Sequence, residues 1–103
     1  MARLTWSPVA LEELRGIIME IAKDSPIYAK RFGLKLKIAP KRLRRFPLMG
    51  WVVPEFNNPV LREIAVDPYR IIYTVESREV IVLAIVHASR DLRRALPQMK
   101  SGE

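Results

Sequence analysis

Three arginines and one histidine stand where they could handle phosphate. Arg70 lies inside "DPYRIIYTV", residues 67–75, and Arg62 lies in the preceding run "VLREIAV", residues 60–66. His87 ends the apolar run "VIVLAIVH", and Arg90 follows three residues later. A guanidinium is a planar fork that holds phosphate or carboxylate through two bonds at once. It stays protonated, so it can neutralise developing charge on phosphate but is a poor general base. That leaves His87, the one histidine of the chain, as the conventional acid or base near neutral pH. A two-residue period puts Tyr69, Ile71, Tyr73 and Val75 on one strand face. Arg70, Ile72, Thr74 and Glu76 fall on the other, more polar face. If Arg62, His87 and Arg90 share that open face, it would suit a phosphate backbone or an acidic peptide. Two plainer readings stand beside this one. Arg70 could pair across strands with Glu63 or Glu76, and a histidine at a strand end can be structural.

Other chemistries are poorly supplied. The chain has no cysteine, so neither a disulfide framework nor a Cys-based zinc or redox site is available. One histidine without a carboxylate cluster at suitable spacing makes no metal site. Four isolated glycines build no phosphate loop. Ser89, His87 and Asp91 are too close in sequence to face one another as a nucleophilic triad. No cofactor is expected.

Charge is the second signal. The net charge is +7 in 103 residues, and residues 25–46 hold eight basic and no acidic side chains. These are Lys30, Arg31, Lys35, Lys37, Lys41, Arg42, Arg44 and Arg45. They read either as a solvated helix face or as a surface for an anionic partner, nucleic acid or an acidic protein segment.

The elements that must position these groups can be read in order. "RLTW", residues 3–6, is a short strand. Ser7-Pro8 is an N-cap followed by proline at the first helical position. Leu11, Leu14, Ile17, Ile18 and Ile21 then recur at helical spacing to about Lys23, with Glu12, Glu13 and Glu20 off the stripe. Ser25-Pro26 repeats the start signal. The second helix puts Tyr28, Phe32, Leu36, Ala39, Leu43 and Phe46 on one face, with a kink or a restarted turn at Pro40. Strands follow at 51–55, 60–66, 69–75 and 80–87, with Pro54 marking an end or an edge. The 80–87 run is apolar on both faces and belongs inside the sheet. Residues 90–97 could form a short helical turn. The expected class is α+β, in the order β-α-α-β-β-β-(β), with an antiparallel sheet covered on one face by a helical hairpin. Residues 1–97 form one domain and 98–103 a flexible tail. No apolar run approaches the roughly 20 residues of a membrane helix, and "MARLTWSP" shows no signal peptide. A cytoplasmic protein without a membrane partner is expected.

The ensemble "VVPE…LREI…PYRIIYTV…VIVLAIVHASR", with "WSPVALEELRGIIMEIA" and "AKRFGLKLKIAPKRLRRFP" before it, resembles the RelE/ParE superfamily of type II toxin–antitoxin toxins. The resemblance spans about residues 3–96. It implies a small growth-arresting toxin of a plasmid-stabilisation type of module. It also implies a cognate antitoxin whose acidic, partly disordered C-terminal segment wraps it, which would use the basic helix. RelE-like members cut mRNA on the ribosome as mRNA interferases, while ParE-like members inhibit DNA gyrase.

In the RelE-like case the resemblance assigns catalysis to Arg70, Arg90 and His87. In either case Arg62, Arg70, Lys30, Arg31, Lys37, Lys41, Arg44 and Arg45 are candidates for contact with target or antitoxin. The RelE-like strand lysines are replaced here by Arg62 alone, and "LRRALPQMKSGE" lacks the C-terminal tyrosine. "VVPE", "LREI" and the His87-to-Arg90 spacing resemble the ParE-like branch, so gyrase inhibition is the leading expectation.

Overall fold

Ser7 starts the first helix as its spacing predicts. In the computed structural model, which describes residues 1–96, its hydroxyl accepts a hydrogen bond from the Ala10 N–H at 3.0 Å. Strand β1 covers Arg3–Trp6, helix α1 Pro8–Ala22 and helix α2 Pro26–Ile38. Ser25 caps α2 in the same way, through the Tyr28 N–H. Proline 40 cannot donate to an α-helical ladder. The chain tightens there into a 3-10 segment, Ala39–Arg44.

Strands β2 (Trp51–Val52), β3 (Leu61–Val66), β4 (Tyr69–Glu76) and β5 (Glu79–His87) follow, then a single helical turn α3, Leu92–Ala95. The sheet order is β1-β5-β4-β3-β2. The class is α+β, as expected, with one correction to the sheet. Strands β2 to β5 pair antiparallel, but β1 joins β5 in parallel. A parallel neighbour needs a long crossover, and the helical hairpin α1–α2 lies within that connection. Strand β2 also stops at Val52, because Pro54 cannot extend a ladder. The boundary expected at residue 97 and the tail at 98–103 lie outside the described residues.

Helices α1 and α2 cover one sheet face. Ala10, Leu14, Phe32 and Leu36 meet Val66, Ile71, Val82 and Ile85 there. The α1 stripe is rotated slightly from expectation: Ala10 is buried while Leu11 is exposed. Beyond α2, Phe46 ends up exposed, because Pro40 and the tighter segment break the helical period; Tyr28, in the first turn of α2, is exposed too and stacks on Phe32.

The opposite face is not open. Val53, Phe56, Leu92 and Leu96 cover Ile72, Ala84 and Val86. The register of β5 slips by one residue opposite Ile72 and Tyr73, leaving Leu83 as a bulge, so Val80 and Val82 share the face of Tyr73 while Ala84 and Val86 turn to the other. Pairing of β5 with β1 ends at Val82, and beyond it Ser7 and α1 supply the partners. The Leu83 carbonyl accepts from the Ser7 hydroxyl, and the Ile85 N–H donates to the Glu13 carboxylate at 2.8 Å. No described helix is long and apolar enough to cross a membrane.

Candidate functional site

Strand register decides which of the predicted side chains can meet. Val66 pairs with Tyr69, so Ala65 pairs with Arg70 and Arg62 with Tyr73. On the other side of β4, Arg70 pairs with Val86 and Tyr69 with His87. Paired residues share a face. Arg70 therefore points to the face covered by Val53, Phe56 and α3, whereas Arg62 and His87 point to the helix face. The expected single face carrying Arg62, Arg70, His87 and Arg90 does not exist.

Arg70 is engaged by two carboxylates. Its Nε and Nη2 donate to Glu63 at 2.6 and 2.8 Å, and its Nη1 and Nη2 donate to Glu55 at 2.8 and 2.9 Å. Four of five guanidinium N–H groups are thereby used, and the side chain is 15% exposed. Hydrogen bonding to Glu55 and then Glu63 raises the Arg70 pKa further above its ordinary value. The Arg70 hydrogen bonds in turn hold Glu55 below the usual carboxylate range. Arg93 of α3 donates to the Glu55 carbonyl at 2.9 Å. The cluster thus fastens the segment after β2 and the last helical turn onto the sheet. The cross-strand alternative is correct for Glu63. Glu76 is the β4 residue paired with Glu79, and the second partner of Arg70 is Glu55, a loop residue that periodicity could not nominate.

Arg62 does a different job. It donates to the carbonyls of Pro59, Leu48 and Gly50 at 2.8, 3.1 and 3.0 Å. Tyr73, fully buried, donates from its hydroxyl to the Pro47 carbonyl at 2.8 Å and accepts from the Gly50 N–H at 3.0 Å. Burial raises its pKa, against the Gly50 hydrogen bond and the nearby charge of Arg62. Together these two side chains fix the 47–50 turn.

His87 packs edge-on against Tyr69, with ring centroids 5.4 Å apart, and Tyr69 in turn meets Phe32. Its Nδ1 accepts from the Ser89 N–H at 3.1 Å and lies 2.8 Å from the Ser89 hydroxyl. Arg90 is exposed on the turn beyond. Nearby, burial pushes the Glu13 carboxyl up, opposed by the Ile85 N–H and by the charge of Arg90. Glu13 was expected off the buried stripe and was missed as a partner of this strand end.

Lys30, Arg31, Lys37, Lys41, Arg44 and Arg45 are all exposed along α2 and the 3-10 segment. None forms an ion pair among the described residues. Their stretch ends beside an open groove of about 950 Å³ whose lining includes Lys41, Arg42, Arg45, Phe46, Leu48 and Met49.

A five-stranded sheet packed by a helical hairpin, with a basic second helix, is the architecture that the RelE/ParE resemblance implies. The sequence model of the family described as "ParE toxin of type II toxin-antitoxin system, parDE" matches residues 4–92, and the chain belongs to that family. It is 36% identical over 91 residues to Toxin RelE2 of Caulobacter vibrioides, covering 87% of this chain and 99% of the relative. In fold it is similar to the chromosomal ParDE toxin–antitoxin system from P. aeruginosa. The TM-score is 0.72 and the identity 21%, covering 84% of this chain and 96% of that one. It is less similar to the conserved hypothetical protein HP0894 from Helicobacter pylori. There the TM-score is 0.55 and the identity 15%, over 87% and 98% of the two chains. The protein is thus a toxin of a type II toxin–antitoxin system in the RelE/ParE superfamily, which implies a cognate antitoxin.

Proposed function

We propose that this toxin acts as the ParE-like branch does, by inhibiting DNA gyrase, and that its antitoxin silences it. The observation that supports this reading most is the double fork on Arg70. Only one guanidinium N–H is left free, and a phosphate approaching it would be repelled by the Glu55 and Glu63 carboxylates. His87 lies on the other sheet face from Arg70, so Arg70, His87 and Arg90 do not converge on one phosphate. General acid–base catalysis needs its groups within hydrogen-bond reach of the reacting atoms, and this arrangement does not supply them.

The second reading is a RelE-like, ribosome-dependent mRNA endonuclease. It is favoured by the 36% identity to a protein named Toxin RelE2, and it would use His87 and Arg90 at the end of β5. Brief expression of the toxin, followed by inspection of plasmid supercoiling and translated message in the same cells, separates the two. Gyrase-linked DNA breaks with intact message support the gyrase reading. Ribosome-dependent cuts with normal supercoiling overturn it.

A further inference from the structure

Helix α2 carries two apolar stripes. Ala29, Phe32, Gly33 and Leu36 form the buried one. Ile27, Leu34 and Ile38 form the other, at spacings of seven and four residues that keep to one helix face. They are exposed by 69%, 56% and 49%, and the turn of about 100° per residue sets them opposite the buried stripe. A surface helix ordinarily puts charge on that side.

The charges stand at the flanks instead. Lys30 and Lys37 line one side of the outer stripe, and Arg31 and Lys35 line the other. All four are exposed, and none forms an ion pair among the described residues. Helix α2 contains no acidic residue. Long basic side chains lay their stems along an apolar strip and keep the cation at its edge.

The neighbouring helix extends the same plane. Helices α1 and α2 pack on one sheet face, so the sides opposite their buried stripes both look away from the sheet. On α1 that side presents Met19, which is 63% exposed. The acids near it, Glu12 and Glu20, are bridged at 3.0 Å to Arg15 and Lys23 and add no net negative charge.

We propose that this outer face of α2, with Met19 beside it, lies on the surface of an anionic phospholipid bilayer, its aliphatic side chains among the upper acyl groups and its flanking cations at the phosphates. The expectation of no membrane partner concerned a spanning helix, and a helix lying in the interface needs no such length. A second copy of the chain fits poorly, because two such faces would oppose like charges. Nucleic acid would satisfy the flanks but leave the stripe in water, since it has no aromatic ring on which a base could stack. An acidic helical segment seats its apolar side chains in a groove, whereas this stripe is the crest of a helix. A bilayer surface complements both parts at once.

The test uses the full-length toxin with vesicles of mixed phosphatidylglycerol and phosphatidylcholine, or of phosphatidylcholine alone, and measures the bound fraction by sedimentation. Ile27→Ser with Leu34→Ser removes the stripe, and Lys30→Gln with Lys37→Gln weakens one flank. Circular dichroism first verifies that each variant is folded, and a short DNA duplex is the second probe. The parent is expected to bind the anionic vesicles and not the zwitterionic ones. The stripe variant should bind them about tenfold more weakly and bind DNA as the parent does. The flank variant, like added salt, should weaken both interactions. Absence of binding to anionic vesicles by the parent overturns the proposal. So does vesicle binding by the stripe variant within about twofold of the parent, which would leave the flanks to nucleic acid and the stripe to a protein segment.

Discussion

Arg70 and Glu63 are diagonal neighbours across β3 and β4, joined by two hydrogen bonds of 2.6 and 2.8 Å. Diagonal positions in an antiparallel pair are within reach of long side chains. This pair therefore forms without bending either strand. Glu55 closes the other side of the guanidinium, and the cation becomes a fastener between sheet, loop and α3.

Removing the cation should leave two facing carboxylates without a partner. Breaking a buried pair costs about 3–5 kcal/mol, and these side chains keep some contact with solvent, so Arg70→Ala is expected to cost about 2–3 kcal/mol. Arg70→Lys retains charge but replaces the fork with a single nitrogen, and should recover only part of the loss. Urea denaturation of the three proteins checks both statements. Wild-type stability in Arg70→Ala would contradict the fastening role.

The pH dependence of that cluster has a definite sign. Glu55 is held below its ordinary value of 4.5 by Arg70. A depressed carboxylate contributes stability that is fully present above its unfolded pKa and is lost as pH falls through the folded one. Stability should therefore decline below about pH 4.5, and Glu55→Gln should flatten part of that decline. Denaturation midpoints from pH 3 to 7 measure the difference between the two proteins. An equally steep decline in Glu55→Gln would remove Glu55 from the account.

Glu13 has the opposite sign. Burial raises its pKa, so its charge is a liability above that pKa and neutral below the ordinary 4.5. Glu13→Gln keeps an oxygen for the Ile85 N–H and removes the buried charge, and is expected to be neutral or slightly stabilising at pH 7. Glu13→Ala leaves the Ile85 N–H without its partner and should cost about 1–3 kcal/mol. Thermal melts of the pair at pH 7 distinguish the lost hydrogen bond from the lost charge.

Tyr73→Phe tests the support beneath the 47–50 turn. The change removes the acceptor of a buried Gly50 N–H and should cost about 1–3 kcal/mol. Gly50→Ala should also be destabilising, because a Cβ there would lie 2.5 Å from the Tyr73 hydroxyl and 2.6 Å from the Glu63 carbonyl. Amide exchange at residues 48–51 should rise in Tyr73→Phe while exchange in α1 stays unchanged.

Much of this was legible in the residues. The Ser7-Pro8 and Ser25-Pro26 starts, the break at Pro40 and the alternation of β4 each carry a local physical signal, and each matches the fold. The face of Arg62 was misread although a signal existed. A two-residue turn at Asp67-Pro68 pairs Val66 with Tyr69, and counting back pairs Arg62 with Tyr73. Glu55 and Glu13 could not be read this way. One sits in a loop, where no period applies. The other meets the Ile85 N–H about seventy residues later, where β5 runs on past the end of its pairing with β1. The parallel pairing of β1 is equally non-local. It depends on where the hairpin returns the chain.

The central claim is the choice of target, and it meets its most direct test in a purified system. DNA gyrase, relaxed plasmid and ATP are incubated with increasing toxin, and supercoiled and cleaved DNA are quantified. The account predicts a dose-dependent loss of supercoiling with accumulation of cleaved DNA, reversed by the antitoxin. Full gyrase activity at saturating toxin, with the same preparation cutting message on translating ribosomes, would contradict it.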